Sequence, residues 1–347
     1  MIHTKRIDNW KEPDLFITGL TEISKELKHQ LWQGIRWGRY IQKVNIKSTL
    51  LMIFKDHIIK AWTIITWSEP IITFKYAYLQ RGPVACNLYY LNEILQFVYQ
   101  LEYDYILVDP DFSQDYLIRS HGPSKIKVLS SGIVPSDTLI LDLSKSEEQI
   151  QSEMSKKCRY NLRVALKSNL SVKKSNDITS NVFKNFYYLM MITSARKLIP
   201  LLSENDFKAK ISLLNTMVFV VCHEEIPLAS GMVVTHDDTS IYYYGGMDSR
   251  YSKLMASYLL QWSMICYAKK NGSKIYDLFG VAPENSDMHH YLTTVSNFKK
   301  RFGGSVVSYH SPYVHIKKYP KYLLLKLFKT IKSYILKVLA KCLKSPS

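Results

Sequence analysis

Stretches in which apolar and polar residues alternate dominate the first third of the chain. A period of two is typical of β-strands that bury one face. The pattern predicts strands at Leu50–Phe54, His57–Trp67, Phe74–Leu79 and Tyr105–Val108, and helices at Glu22–Arg36 and Leu91–Leu101. Turn residues separate these elements, since Gln80 to Pro83 is typical of a turn and Pro110 ends the pairing of the strand before it. This region is therefore predicted to be mixed α and β structure.

The same scheme returns between residues 137 and 240. The pattern predicts strands at Thr138–Leu143, Met217–Cys222 and Ser230–Thr235, and helices at Asn181–Arg196 and Asn205–Leu214. Ser144 and Glu147 have the spacing of a capping box, in which a hydroxyl and a carboxylate satisfy the free amides of a helix start. The helix that follows has an apolar stripe at Ile150, Met154, Cys158 and Leu162. Both halves are predicted to be strand-rich α/β units of similar size.

The last third has the most distinctive order of elements. A predicted strand at Ile241–Asp248 precedes an apolar helix at Tyr258–Ala268 and a second strand at Ile275–Val281. A polar loop then leads to Lys299. Strand, helix and strand predict a βαβ unit, and a cation beside such a unit is typical of acyltransferases.

Turn residues at Gly132–Asp137 indicate a connector between domains. We expect a first domain at residues 1–136, completed by residues 310–320, and a second domain at residues 137–309. Residues 321–347 form a separate element.

The residues after Pro320 predict a basic amphipathic helix. Its apolar face contains Leu324, Leu327, Phe328, Ile331, Ile335, Val338 and Leu339, and its opposite face contains Lys326, Lys329, Lys337, Lys341 and Lys344. From Lys317 onward the chain has nine lysines and no acidic residue. Such a helix suits an anionic membrane surface. It equally suits docking on the protein body with its lysines in water, and both interpretations stay open.

Composition narrows the classes of partner. The formal net charge of +17 favours polyanions, namely nucleic acid, phosphorylated substrates or an anionic membrane. The chain has neither an apolar signal core at its start nor a run of about 18 uncharged apolar residues, so we expect no membrane-spanning segment. Its 5 cysteines are scattered without metal-ligand spacing, which indicates a reducing compartment with no zinc and no disulfide.

Three groups of cations are candidates for binding or catalysis. Lys299 follows Phe298 and is able to stabilise an oxyanion or hold a phosphate, although a solvated charge run is the commoner explanation. Four cations at helical spacing form a basic ridge suited to a phosphate backbone or to water alone: Lys156, Arg159, Arg163 and Lys167. Arg196 ends a helix, where a cation favours the helix dipole and its fork also matches a pyrophosphate.

Two acids and three tyrosines are further candidates. Asp109 ends a strand, where a carboxylate accepts a proton in many α/β sites or simply caps a turn. Tyr242, Tyr243 and Tyr244 lie in one strand, so alternate rings are expected on opposite sides, one in the core and the other facing a pocket. Asp277 lies in an apolar strand, where a structural hydrogen-bond role is expected because an unbonded buried carboxylate is costly.

Common motifs of other enzyme classes are absent from the sequence. It contains no GxGxxG, P-loop, GxSxG or HExxH pattern. His289 and His290 are neighbours without a third ligand, so we interpret them as a loop and expect no metal site.

Short motifs along most of the chain resemble the FemABX family, which transfers amino acids from aminoacyl-tRNA to peptidoglycan precursors. They are Arg81 to Pro83, Asp109-Pro110, Thr138 to Ser144 with the basic helix through Arg159 and Arg163, Tyr243 to Gly245, Ala256 to Leu260, Tyr276-Asp277 with Gly280-Val281, and Phe298-Lys299 with Phe302-Gly303. Each motif is short, and their order is what makes the resemblance specific.

The resemblance implies two acetyltransferase-like (GNAT) domains packed side by side. It implies aminoacyl-tRNA as co-substrate, no cofactor, and lipid II or UDP-MurNAc-pentapeptide as acceptor. By this resemblance Lys299 is catalytic and Asp109 is a possible proton acceptor. Substrate contacts are implied for Arg81, Arg196, Tyr243, Tyr244 and Phe298, and tRNA or anion contacts for Lys156, Arg159 and Arg163. We expect a monomer in the cytoplasm, with the tail helix available to meet the inner face of the membrane.

This chain departs from the family pattern in three places. Residues Lys197 to Pro200 replace the usual ones after the family's pyrophosphate-binding arginine, which matches Arg196. The family's amino-terminal phosphate-binding lysine follows a tryptophan, and after Trp37 both Arg39 and Lys43 qualify. The long coiled-coil arm of glycine-adding members is absent, so the chain resembles the compact alanine- or serine-adding type.

Two alternatives from other classes stay open. The first is an acyl-CoA-dependent transferase of the same fold, although Ser249 to Ala256 lacks the glycine turn that lets backbone amides hold a pyrophosphate. The second is a non-catalytic protein that binds RNA or a membrane. Such a protein would use the basic ridge and the tail but would not need Lys299.

Overall fold

The computed structural model describes residues 2–8, 27, 30–71, 74–111, 125–130, 132–284, 286 and 290–327. These residues cluster into two compact units. Unit one contains those within Met1–Gln33, Ile46–Ile133 and His310–Ser347, and unit two those within Gly34–Asn45 and Val134–Tyr309. The chain thus crosses from one unit to the other at Ile133/Val134 and returns at His310. Gly34–Asn45, which the sequence assigned to the first domain, belongs to unit two.

Unit one is built on one twisted sheet. Its described strands are β1 (Ile2–Asp8), β2 (Ser48–Lys55), β3 (Ile58–Ile71), β4 (Phe74–Gln80), β5 (Val84–Ala85), β6 (Tyr105–Asp109), β7 (Lys125–Val128) and β15 (Tyr313–Ile316). They lie in the order β1-β2-β3-β4-β6-β15-β7, with β5 beside β3. Neighbours are antiparallel except β4 and β6, which are parallel. Strand β15, from the far end of the chain, therefore lies between β6 and β7.

One helix covers the core of unit one. It spans Leu88–Gln100 (α2, after α1 at Ile35–Lys43 in unit two) and begins at Asn87, whose side chain accepts a hydrogen bond from the Tyr90 amide. Its buried face packs on the sheet through Ile94 and Val98, both 0% exposed. Of the predicted helix at Glu22–Arg36, residues 22–26, 28 and 29 lie outside the described residues. In the described part the prediction is wrong: Leu31–Gln33 is a 3₁₀ turn, and the α-helix begins only at Ile35 because Gly34 has an extended backbone.

Unit two contains a second sheet with helices on both faces. Its described strands are β8 (Asp137–Asp142), β9 (Leu170–Ser175), β10 (Thr216–His223), β11 (Ile226–His236), β12 (Thr239–Met247), β13 (Ile275–Gly280) and β14 (Ser305–Ser308), in the order β14-β8-β13-β12-β11-β10-β9. Its helices are α1, α3 (Glu147–Glu153), α4 (Lys156–Lys167), α5 (Asn181–Lys197), α6 (Glu204–Leu213), α7 (Ala256–Lys270) and α8 (Thr293–Lys299). Strand β10 is buried almost throughout because helices cover both of its faces.

Two glycines let helices approach this sheet from opposite sides. A side chain at Gly231 would meet Met264 of α7, and one at Gly246 would meet the Leu189 backbone of α5. Strands β12 and β13 are parallel and joined by α7, as the predicted βαβ unit requires. All other neighbouring strands described in this sheet are antiparallel.

The predicted capping box is two residues out of place. Ser146 and Gln149, not Ser144 and Glu147, make the reciprocal bonds that begin α3. The Ser144 amide and hydroxyl are instead bonded to Asp142 at the end of β8, at 2.9 and 2.7 Å. A turn therefore separates the strand from the helix.

The helix predicted after the capping box is two helices. Met154 has an extended backbone, and Ser155 caps a new helix by accepting from the Cys158 amide. The apolar stripe survives this break, because Ile150, Met154, Cys158 and Leu162 are all buried.

The tail prediction is mostly outside the described residues. A helical segment covers residues 319–327, in which Leu324 and Leu327 are exposed. The remaining residues of the predicted amphipathic helix, 328–347, lie outside the described residues. Within the described part of the chain, no helix is long and apolar enough to cross a membrane.

Candidate active site

The parallel strands of unit two separate before they end. Pairing between β12 and β13 covers Thr239–Ile241 and Ile275–Asp277. Beyond this point β12 continues along β11 to Met247, while the pairing of β13 with β8 shifts register between Asp277 and Gly280. The gap lies at the carboxyl ends of two parallel strands, which is where α/β folds commonly bind ligands.

A cavity of about 660 Å³ occupies this region. Its walls come from the end of β12, the start of α7, the end of α5 and helix α8. The predicted site residues among them are Arg196, Tyr243, Tyr244, Phe298 and Lys299. The structure thus brings together predicted site residues from three segments that are distant in sequence.

Lys299 ends α8 and is the buried member of its charge run. Its side chain is 5% exposed, whereas the neighbouring Lys300 is exposed, so the solvated interpretation does not apply to Lys299. The Lys299 ammonium donates to the carbonyl oxygens of Phe279 at 3.1 Å and Gly280 at 2.7 Å. An ammonium has three N–H donors, so among the described contacts one donor is left for a ligand.

Burial lowers the pKa of Lys299. Loss of solvent lowers the pKa of Lys299 to about 8, and Lys197 acts in the same direction. The Asp277 carboxylate opposes this shift. The ammonium is therefore largely present at neutral pH but close to the point where it loses its proton.

Asp277 has the structural role that the sequence indicated. Its carboxylate is buried and accepts hydrogen bonds from the Thr138 hydroxyl and from the Phe279 amide at 2.7 Å. These bonds hold Phe279 with a φ of +63°, a left-handed conformation that costs about 1–2 kcal/mol for a side chain of this type. The strained turn directs two successive carbonyls at Lys299.

A β-bulge changes the predicted arrangement of the three tyrosines. Val233 pairs with Tyr242 and Met232 with Tyr244, so Tyr243 is the extra residue. The rings of Tyr243 and Tyr244 are consequently neighbours, with centroids 4.7 Å apart, and do not point to opposite sides. All three tyrosines contribute to the cavity lining, and Tyr243 also faces Phe279 at 5.8 Å.

Cations dominate the charged part of the cavity wall. The described lining contains Lys157, Arg196, Lys197, Lys253, Lys299 and Arg301. Its acid, Asp248, is 4% exposed and binds both Nε and Nη2 of Arg250 at 3.0 and 2.6 Å. Because the carboxylate is already paired, the cavity favours an anionic ligand.

The predicted basic ridge on α4 divides into two kinds of residue. Lys156 and Arg163 are exposed. Arg159 instead donates from Nη1 to the carbonyl of Ser152 at 2.9 Å and to that of Met154, which caps the end of α3. The structure therefore gives Arg159 a structural contact, while anion binding stays a prediction for this face.

Lys210, which was not predicted as a site residue, lies buried beside the cavity-lining Tyr243. This side chain on α6 is 2% exposed, and its Nζ lies over the rings of Tyr40 at 3.7 Å, Trp37 at 4.8 Å and Tyr243 at 5.4 Å. Burial lowers the pKa of Lys210 to about 7, although Asp206 opposes the shift.

A signal for Lys210 was present in the sequence. Phe207, Lys210, Ile211 and Leu214 follow the spacing of a buried helix face, and all four are buried. A lysine at such a position must find an unusual partner, and here it contacts a cavity-lining tyrosine and helix α1. Arg39 and Lys43 lie one turn apart on the exposed side of α1, so the structure does not choose between them.

Asp109 and Arg81 belong to unit one and do not line this cavity. The Asp109 carboxylate accepts from the Tyr78 hydroxyl and from the Ile133 amide at 3.0 Å. Arg81, at a φ of +49°, donates its amide to the Asp109 carbonyl at 2.7 Å and its Nη1 to the Pro110 carbonyl at 3.2 Å. Both residues thus hold the end of β6 together.

Metal chemistry finds no support in the described residues. They contain no group of three or more His, Cys, Asp or Glu side chains able to hold a metal ion. His289, part of the predicted loop, lies outside the described residues.

Similarity to known proteins covers part of the chain by sequence and most of it by fold. Residues 203–332 match the FemAB family. The aminoacyltransferase FemA of Staphylococcus epidermidis is 29% identical over 108 residues, which are 31% of this chain and 26% of that protein. The aminoacyltransferase FemA of Staphylococcus aureus is 26% identical over 111 residues, 32% of this chain and 26% of that protein. The chain thus aligns with about a quarter of the length of these relatives.

Solved structures extend the fold comparison to both units. A crystal structure of FemX has a TM-score of 0.74 at 17% identity and covers 92% of this chain and 99% of its own. A tandem GNAT protein from the clavulanic acid biosynthesis pathway has a TM-score of 0.52 at 7% identity, covering 90% and 98%. The fold is therefore a tandem acetyltransferase-like α/β fold, as the sequence predicted. The FemAB match over residues 203–332 and the FemA relatives make this chain similar to FemABX proteins, with which it also shares its fold.

Proposed function

We propose that this protein transfers an amino acid from aminoacyl-tRNA to the stem-peptide amine of a peptidoglycan precursor. The observation that carries the proposal is Lys299, a buried cation fixed by two carbonyls at a cavity between parallel strands. The match of residues 203–332 to the FemAB family supports the reaction class, because the similar FemA proteins are named aminoacyltransferases.

The chemistry requires little of the protein beyond orientation and charge. The amine nitrogen attacks the ester carbonyl of the aminoacyl group, and a C–N bond forms as the C–O bond to the terminal ribose breaks. The proton lost by the nitrogen ends on the ribose oxygen. In the tetrahedral intermediate the former carbonyl oxygen is negative, and the free N–H of Lys299 is suited to donate to it. No nucleophilic side chain is needed, because the ester is already activated.

The remaining wall has groups suited to the two substrates. Arg196, exposed at the end of α5, is available to a pyrophosphate through its planar fork. Tyr243 and Tyr244 offer ring faces and hydroxyls for the peptide or the terminal nucleoside. Lys156 and Arg163 on the outer face of α4 are suited to tRNA phosphates.

A transferase that uses acyl-CoA is the second candidate. Helix α7 begins at the cavity without a side-chain cap, which favours an anion there, although the Tyr258 amide is already bonded to the Met255 carbonyl at 2.9 Å. Against this, the preceding residues Ser249–Leu254 form a 3₁₀ turn without glycine, and Met255 has a φ of +54°. Side chains therefore occupy the turn that amides use to approach a pyrophosphate.

One assay separates the two candidates. The purified protein is incubated with a mixture of charged tRNAs and either lipid-linked or nucleotide-linked muramyl pentapeptide, and the products are weighed by mass spectrometry. We expect the acceptor to gain the mass of one amino-acid residue. No gain with any charged tRNA, together with acylation of an amine by acyl-CoA, would replace the proposal with the second candidate.

A further inference from the structure

An apolar loop follows the cavity-lining end of α5. Residues Leu198 to Leu202 read Leu-Ile-Pro-Leu-Leu and join α5 to α6. Leu198 is 59% exposed and Ile199 is 49% exposed. Tyr188 and Met191, one turn apart on α5, are also exposed. We call Tyr188, Met191, Leu198 and Ile199 the α5 apolar surface.

The backbone holds the tip of this surface in a fixed conformation. The amides of Leu198 and Ile199 both bond to the Ser194 carbonyl, and the Ser194 hydroxyl donates to the Ile199 carbonyl at 2.6 Å. Leu198 has a φ of +53°, a conformation that helix ends usually give to glycine. A strained leucine held in water by three hydrogen bonds is unfavourable for a free surface, and such strain commonly marks a functional contact.

Cations border the α5 apolar surface. Lys184, Arg196 and Lys197 of α5 are exposed, and α5 contains no acidic residue. Arg250 is exposed and lies near enough to Tyr188 to interact with it electrostatically. The surface thus combines aliphatic and aromatic side chains with a positive border.

The acids nearest in the chain are already paired. Asp248 binds Arg250, Glu204 binds Lys208 at 2.7 Å, and Asp206 bonds the Ser203 hydroxyl at 2.6 Å as part of a helix cap. Asp248 and Glu204 thus neutralise Arg250 and Lys208, while Asp206 keeps its charge. The exposed cations Lys184, Arg196 and Lys197 outnumber this one remaining carboxylate, so a negatively charged partner is favoured.

We propose that the α5 apolar surface docks on an anionic lipid bilayer. Exposed aliphatic residues beside lysine and arginine fit the boundary between acyl chains and charged headgroups, where the apolar side chains enter and the cations stay at the phosphates. This surface is distinct from the predicted tail helix.

Docking there also bears on the acceptor, and this point rests on the proposed function. Arg196 and Lys197 line the cavity and directly precede Leu198. A bilayer bound at Leu198 and Ile199 would lie beside the phosphate-binding part of the cavity. That location suits an acceptor whose pyrophosphate is attached to a membrane-embedded chain.

Vesicle flotation tests the docking without any turnover. The full-length protein is mixed with phosphatidylcholine vesicles that contain or lack phosphatidylglycerol. We expect binding to the anionic vesicles and little to the neutral ones. The Leu198→Ser/Ile199→Ser double variant should bind the anionic vesicles about tenfold more weakly or worse, because it lacks the two aliphatic side chains that enter the bilayer. Leu166→Ser/Ile226→Ser removes an exposed apolar pair elsewhere in unit two and should bind like the wild type.

A third variant distinguishes this surface from the tail. If Lys329→Gln/Lys337→Gln abolishes flotation while the Leu198/Ile199 variant floats fully, the proposal is wrong and the tail is the docking element. Equal losses in the Leu198/Ile199 and Leu166/Ile226 variants would also overturn it, as would binding only to vesicles that contain membrane proteins.

The outcome is separable from that of the proposed function. The Leu198/Ile199 variant should keep wild-type transfer to the water-soluble nucleotide-linked acceptor and the wild-type melting temperature, because these residues do not line the cavity. Flotation of the wild type without any amino-acid transfer would retain the docking surface and remove the proposed function.

Discussion

Among the residues that the structure describes, each unit has one parallel pair of strands joined by a helix, and the two pairs end differently. In unit one, β4 and β6 pair from Tyr76 opposite Tyr105 to Gln80 opposite Asp109, and the Arg81 amide extends the ladder by bonding the Asp109 carbonyl. In unit two, β12 and β13 stop pairing at Ile241 opposite Asp277.

This difference has chemical consequences. The closed end of unit one fills with its own side chains, so Asp109 is bonded to Tyr78 and Ile133. The open end of unit two exposes the carbonyls of Phe279 and Gly280, which Lys299 binds from α8. The same strand-helix-strand scheme thus yields a packed joint in one unit and a cavity in the other.

The largest expected effect is the loss of Lys299. Lys299→Met keeps the aliphatic stem but removes the ammonium, and transfer should fall by about 10²–10³-fold, as for other oxyanion donors. Steady-state rates with charged tRNA measure this, with Lys300→Met as the exposed control. The wild-type rate should also fall as pH rises through about 8, since the ammonium is then lost. Full activity of Lys299→Met would show that the lysine at the open end of β12 and β13 is not used in transfer.

The closed end of the β4 and β6 pair in unit one is tightly packed, so an added side chain should lower the stability of the protein. A Cβ at Gly132 would lie 1.9 Å from the Oδ1 of Asp109, which is buried and unable to move away. Gly132→Ala should therefore lower the free energy of unfolding by about 2 kcal/mol or more. Urea unfolding measures this against Gly272→Ala, which has no atom within 4 Å and only its φ of +84° to strain it. Equal midpoints for the two variants would show that the end of β6 is loosely packed.

Lys210 should make unit two more stable as pH rises. Its pKa is about 7 in the folded protein against an ordinary 10.5, so the unfolded chain binds more protons between these values and stability increases across that window. Lys210→Met should remove the rise between about pH 7 and 8 and leave a smaller rise above pH 8, where Lys299 acts in the same direction. It should also raise stability at pH 7 by about 1–2 kcal/mol, because a buried charge is no longer desolvated. Thermal unfolding from pH 6 to 10 measures it, with Lys208→Met as the control. An unchanged slope between pH 7 and 8 in Lys210→Met would assign that part of the dependence to another group.

The smallest effect is expected at Asp109. Asp109→Asn retains a carbonyl oxygen for the Ile133 amide, so the free energy of unfolding should fall by about 1 kcal/mol and transfer by less than tenfold. Parallel urea unfolding and transfer assays measure both quantities. A loss of transfer near that of Lys299→Met would support Asp109 as the proton acceptor that the sequence analysis predicted.

Local patterns predicted most of the secondary structure because burial imposes a period of two or 3.6 on the residues. Strands β2, β4, β10 and β13 and helices α5 and α7 were predicted within a few residues of their observed bounds. The βαβ unit followed from the order of elements, and that order also singled out Lys299 as a candidate. The burial of Lys299 did not follow, since nothing local distinguishes it from Lys300.

The sequence predictions were wrong where contacts between residues distant in the chain determine the local structure. Ser144 and Ser146 both precede an acidic or amide residue by three positions, and the bond of Ser144 to Asp142 selects Ser146 as the cap. The bulge at Tyr243 depends on the pairing of β12 with β11. Helix α1 belongs to unit two through contacts such as that of Tyr40 with Lys210, 170 positions later in the chain.

Strand β15 has a consequence for biosynthesis. It lies between β6 and β7 of unit one, yet the ribosome makes it only after all of residues 134–309. Residues 134–309 are therefore complete, and able to begin folding, while the sheet of unit one still lacks an inner strand. During this interval the edges of β6 and β7 that later pair with β15 are free to join other chains. A nascent chain stalled before Tyr313 should accordingly be protease-resistant in unit two and protease-sensitive near β7.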